Sequence, residues 1–83
     1  MKRYGLLEWG SDFDREPAIF IGFTISDIRL GAMEHLEALG DEFEVPFPDE
    51  RDPVCVRRWW REMWEATTSP MLTIFSEDEV IHV

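Results

Sequence analysis

The spacing of apolar positions switches between strand-like and helix-like stretches along the chain. Residues 3–9 (Arg3 to Trp9) read as a strand with mixed faces, and Gly10 to Pro17 as a turn or loop rich in Gly, Ser, Asp and Pro. Ala18 to Ile25 (Ala-Ile-Phe-Ile-Gly-Phe-Thr-Ile) is an almost unbroken apolar, β-branched and aromatic run. Such a run predicts a central strand buried on both faces, with Gly22 marking a bulge or a close backbone approach.

A helix is expected from Thr24 or Ser26 to Gly40. Thr24-x-x-Asp27 has the spacing of a capping box, and Gly40 suits the residue just past a helix end. Ile28, Ala32, Leu36 and Leu39 form its apolar face. Asp27, Glu34, Glu37 and Asp41 cluster within about 80° on the opposite face, at 100° per residue. Asp41 to Asp52 is a connector rich in proline and acid, in which Pro46 and Pro48 force Val45 and Phe47 towards extended geometry.

A second helix opens on Asp52 as N-cap and Pro53 at the first helical position, and runs to about Ala66. Cys55, Val56, Trp59, Trp60, Met63, Trp64 and Ala66 fill an arc of roughly 180°, wider than a surface helix needs. Met71 to Ser76 and Val80 to Val83 read as a hairpin around the turn Glu77-Asp78. The expected fold is therefore α+β: a two-layer sandwich in β-β-α-α-β-β order, a four-stranded antiparallel sheet with two helices on one face. At 83 residues the chain is read as a single small acidic domain, 1–83. So short a chain has a thin stability margin, which four Trp and six Phe offset by bulk.

Charge is the most unusual global property of the chain. Eighteen Asp and Glu against eight Lys and Arg give a net charge of −10. Direct binding to nucleic acid or to an anionic membrane needs a basic patch, so neither is expected. Residues 34–52 hold eight of the acids (Glu34, Glu37, Asp41, Glu42, Glu44, Asp49, Glu50, Asp52) and one base, Arg51. A surface of this density suits a basic groove built for DNA or RNA, although acidic faces also serve solubility alone.

Catalytic chemistry finds little support. Cys55 sits in the first turn of the second helix, where the helix dipole lowers a thiol pKa, and His35 and His82 are the available bases. No nucleophile elbow, phosphate loop or dinucleotide fingerprint surrounds them, and a buried cysteine is ordinarily structural. The connector acids lack the spacing of a calcium loop, and one cysteine permits no internal disulfide. The chain is thus expected to be no enzyme and to carry no cofactor or metal. It has no stretch of the ~20 apolar residues that span a bilayer, so the cytoplasm is the expected location.

The function expected from these features is that of a small acidic binding or inhibitor protein. It would engage the basic surface of a nucleic-acid-processing enzyme or complex, with Asp27, Glu34, Glu37, Asp41, Glu42, Glu44, Asp49, Glu50 and Trp64 at the contact. Anti-defence inhibitors and immunity proteins of toxic nucleases share this profile in character, some of them mimicking nucleic acid. The alternative is a structural or assembly subunit, including a homodimer, joined through the tryptophan-rich helix face or a sheet edge. Trp64 enters on its own account, because a tryptophan at the edge of the arc within reach of Arg57 and Arg61 has the make-up of an interface anchor.

Overall fold

The computed structural model describes residues 2–10, 15–40, 42–66 and 70–75, together with the backbone of 80–82. Two helices lie over an antiparallel sheet, as the α+β pattern requires. The body of the sheet is three strands, β1 (Arg3–Glu8), β2 (Ala18–Gly22) and β3 (Met71–Phe75), with β1 in the middle. Tyr4 pairs with Ile21 on one side and Phe75 on the other, and Leu6 with Ile19 and Thr73. At the far margin the three-residue segment Val80–His82, β4, pairs antiparallel with Thr73–Phe75. Ser11–Asp14, Thr67–Ser69 and the expected turn at Glu77-Asp78 fall outside the described residues.

The helix ends follow from local chemistry. Helix α1 spans Ile25–Ala38, and the Asp27 backbone N–H donates to Thr24 Oγ1 at 3.1 Å, so Thr24 is the N-cap. Gly40 has φ +77° and donates its N–H to the Glu37 carbonyl at 3.0 Å, closing the helix in the left-handed conformation that glycine adopts without strain. Helix α2 spans Pro53–Ala66. Its cap is Asp52, whose Oδ1 accepts the Cys55 N–H at 2.9 Å.

Alternation along β1 sends Gly5 and Leu7 towards the helices, and along β3 it sends Leu72 and Ile74. Ile28, Ala32, Met33 and Leu36 of α1 close on them, and Val56, Trp59, Trp60 and Met63 of α2 complete the core. Helix α1 lies across all three strands, whereas α2 packs chiefly on α1. Two glycines permit that close approach. A Cβ on Gly5 would fall inside the envelope of Ile28 Cγ2, and one on Gly22 would sit 3.2 Å from Ile28 Cγ1. The close backbone approach expected at Gly22 is thus present, and a tighter one stands at Gly5.

Two expectations are corrected. The apolar run from Ala18 is not a central strand: it pairs with β1 alone among the described strands, stops at Gly22, and leaves Ile19 72 % and Ile21 65 % exposed. Burial on both faces needs a layer on each side, and α1 packs over the face that Ala18 and Phe20 share. Leu39 is exposed, and Met33 takes its place in the core, because the apolar face of α1 centres on the strip from Ile28 to Leu36. Trp59 and Trp60 are both buried, and Trp59 meets a second wall beyond α1 and the sheet. The second wall is the connector: Phe47 stacks on Trp59 at 5.1 Å, Phe43 meets it edge-on at 6.2 Å, and Trp59 Nε1 donates to the Val45 carbonyl at 3.1 Å.

Candidate functional site

The connector alternates inward and outward over Glu42 to Phe47. Phe43, Val45 and Phe47 pack on the core while Glu42 and Glu44 are exposed between them. The prolines at 46 and 48 keep this stretch from closing into a helix, and the inward aromatic residues decide which side faces water. Arg51 fixes its far end. The guanidinium donates to Glu37 Oε2 at 2.7 Å and through Nε to the Pro48 carbonyl at 2.9 Å, so a helix acid and a connector carbonyl share one side chain. The bond to Glu37 holds the Arg51 pKa above its ordinary value, with burial opposing and Glu37, Glu34 and Asp49 adding attraction.

Along α1, Asp27, Glu34 and Glu37 are exposed, with about 15 Å of rise from Asp27 to Glu37. Asp49, Glu50 and Asp52 are exposed where the connector approaches α2. Asp41 lies outside the described residues. The acids therefore fall into two uses. Asp52 caps α2 and Glu37 holds Arg51, with Glu34 and Asp49 adding attraction only, while Asp27, Glu42, Glu44 and Glu50 are exposed acids with no cap or ion pair described. Trp64 is 44 % exposed on α2. The cation–π contact described in this chain is elsewhere, with Arg15 4.6 Å over the Trp9 ring. Arg29 is half-buried behind this surface, its carbonyl accepting Trp60 Nε1 at 3.0 Å. Burial, and then the nearby Arg57, push its guanidinium pKa down.

The cap carries a titration of its own. Hydrogen bonds from the Cys55 N–H, and then from its thiol, hold the Asp52 carboxyl below the usual carboxylate range. A depressed folded pKa means that the cap stabilises the fold above the unfolded carboxylate pKa, and that this contribution is lost as pH falls through the folded value. Asp52→Asn retains an acceptor oxygen but cannot titrate. Its melting temperature should fall less steeply than wild type on acidification, as read by thermal melts across the acid range; parallel curves would contradict the assignment.

The same contact bears on chemistry. Burial, and then the Asp52 carboxylate, push the Cys55 thiol up rather than down, which reverses the helix-dipole expectation. The thiol at neutral pH is protonated and a poor nucleophile. Glu50, Asp52 and Cys55 have ligand atoms within 4.8 Å of one another, which makes them the described group able to share a metal ion. That use would oppose the cap and require loss of the raised thiol proton. His35 packs edge-on against Phe20 at 5.5 Å and lines an open groove of about 380 Å³ with Trp9, Arg15, Glu16 and Leu39. Cys55 does not line it. No helix among the described residues is long and apolar enough to cross a membrane.

Comparison with protein-family models, with curated proteins and with solved structures finds no match to this chain.

Proposed function

We propose that this chain is a non-catalytic acidic binding protein that inhibits or regulates a partner with a basic, nucleic-acid-binding surface. In this reading the domain is the complete four-stranded β-β-α-α-β-β sandwich, working in the cytoplasm without cofactor or metal, and its contact surface is the α1 face plus the connector. One observation supports it most: Glu42 and Glu44 point outward from a segment that Phe43, Val45 and Phe47 hold against the core. Charges on an anchored segment bind without paying the ordering entropy of a floppy acidic loop. Extended chain rises about 3.3 Å per residue, so acids two apart carry one charge per ~7 Å, half the density of a nucleic-acid strand. The α1 acids beside them raise that density towards the strand's own value.

The experiment replaces Glu34, Glu42, Glu44 and Glu50 by Gln and Asp49 by Asn. Glu37 and Asp52 are retained because they hold the scaffold. Surface charges of this kind change stability by roughly ±0.5 kcal/mol, so the fold should survive. Wild-type chain immobilised as bait should retain a nucleic-acid-binding protein that elutes steeply with salt and is displaced by short DNA or RNA. The neutralised variant should lose that protein, mainly through slower association. Equal retention by both baits at low salt would leave the acids as a solubility device and move attention to Trp64.

A further inference from the structure

Among the described residues, the charge that dominates the chain is nearly missing from the sheet face turned away from the helices. Strands β1 to β3 carry Glu8 as their only acid. The sheet face turned away from the helices instead presents Ile19, Ile21 and Tyr4, with Leu6 half-buried among them, and Phe75 at the margin. Phe23, 67 % exposed, continues the alternation of Ile19 and Ile21 past the end of β2. Register brings these into two rows across the sheet, Ile21–Tyr4–Phe75 and Ile19–Leu6–Thr73. The exposed apolar area is on the order of 600 Å², the upper limit of what a monomer ordinarily leaves bare.

We infer that this face is the contact between two copies of the chain, packed sheet on sheet. The strongest reason is the order of residues along the central strand. Lys2, Tyr4, Leu6 and Glu8 share the open face in the sequence cation, aromatic, aliphatic, acid. A two-fold axis lying in the interface across the strands, over Gly5, sets β1 antiparallel to its copy. Lys2 of each copy then stands opposite Glu8 of the other, and Tyr4 opposite Leu6. Gly5 is in register with Phe20, so the same axis sets Ile19 opposite Ile21; on β3 it sets Phe75 over Thr73, which is already buried within the chain. One operation therefore pairs the open-face positions of β1 and β2 with positions of compatible chemistry, as an isologous interface requires, while Met71 of β3, in register with Glu8, has no counterpart within the strand.

Electrostatics selects a second copy over other occupants. A chain of net charge −10 repels its own kind through every acidic surface, and this face removes that obstacle. Lys2 and Glu8 give it a net charge near zero and a polarity that is matched by its own reversal. Among the described residues a basic partner finds no acid here beyond Glu8. With Leu6, Lys2 and Glu8 included, the contact approaches the ~800 Å² per partner of a standard interface, and aligned sheets pack at about 10 Å. The acidic α1 face and connector lie on the far side of the domain and stay accessible in the dimer, so this inference stands apart from the proposed function.

The test is sedimentation equilibrium of the whole chain from micromolar to near-millimolar concentration. Wild type should form a dimer. Ile19→Lys with Ile21→Lys, both on the exposed side of an edge strand, should leave the circular dichroism unchanged and weaken association by about a hundredfold or more. Lys2→Glu and Glu8→Lys should each weaken it by about threefold to tenfold, and the two together should restore it. A wild type that stays monomeric throughout, whatever else covers the face, overturns the inference. So does a dimer indifferent to the Ile19 and Ile21 changes, or a charge swap that fails to restore association.

Discussion

Trp60→Ala should unfold the domain or bring it to the edge of unfolding. The side chain is 2 % exposed, meets Trp59 edge-on at 4.9 Å and donates its indole N–H to the Arg29 carbonyl at 3.0 Å. Truncating a buried tryptophan removes its transfer free energy and leaves a cavity, together about 3–5 kcal/mol. A domain of this length has roughly 4–12 kcal/mol in all, so the loss takes a large share of the margin. The helix pair should loosen first, because the Trp60 indole ties α2 to α1 through the Arg29 carbonyl.

Two companion variants isolate the cause. Trp60→Phe keeps most of the volume and gives up the hydrogen bond, so it should lose about 1–2 kcal/mol. Trp64→Ala, on the exposed side of the same helix, should change stability by no more than about 0.5 kcal/mol. Urea midpoints at constant slope measure all three. A Trp60→Ala protein that unfolds cooperatively near the wild-type midpoint would mean that α2 is not bound to α1 through this residue.

The contrast between Trp60 and Trp64 also marks where sequence reading succeeds. Features decided within a few residues were legible: Asp52 as a cap, Thr24 as one of two candidates with Ser26, Pro53 at the first helical position, Gly40 at the helix end. Each rests on an orphan backbone group and the side chain able to satisfy it. What was not legible depends on a second element. Ala-Ile-Phe-Ile reads the same whether a strand is covered on one side or two, and only the topology shows that Ile19 and Ile21 are bare. The arc of α2 is wide enough for both tryptophans, yet burying Trp59 required Phe43 and Phe47 from a stretch read as an acidic connector. The signal was present as Phe-x-Val-x-Phe, an alternation masked by the acids and prolines between.

The acidic surface divides along the same line. That Asp27, Glu34, Glu42, Glu44, Asp49 and Glu50 are exposed follows from composition and helical spacing. That Glu37 holds Arg51, fourteen positions on, does not, because the pair is made by the return of the connector over α1. A run of charge in sequence therefore mixes groups that hold the scaffold with groups left for a partner, and only geometry sorts them.

Gly5→Ala should be the most damaging single-methyl change in the chain. Gly5 sits on the central strand, facing α1, and its φ lies in the ordinary negative range, so no backbone strain is involved. The obstacle is space: the added Cβ would overlap Ile28 Cγ2 and stand 3.5 Å from Leu72 Cδ1. Ile28 cannot swing aside, because a β-branched side chain in a helix has one strongly preferred rotamer. Relief must come from lifting α1 off β1, which loosens contacts on both sides of the helix. Overpacking of this kind destabilises by about 1–3 kcal/mol. The specific check is Ile28→Leu, which deletes the obstructing Cγ2 while conserving volume and should alone cause a loss below about 1.5 kcal/mol. In the double variant Gly5→Ala, Ile28→Leu, the methyl has room, so the loss should be smaller than the sum of the single losses by about 1 kcal/mol or more. Strict additivity in urea unfolding would show that α1 does not rest on Gly5, and that the sheet and helix meet at a wider spacing.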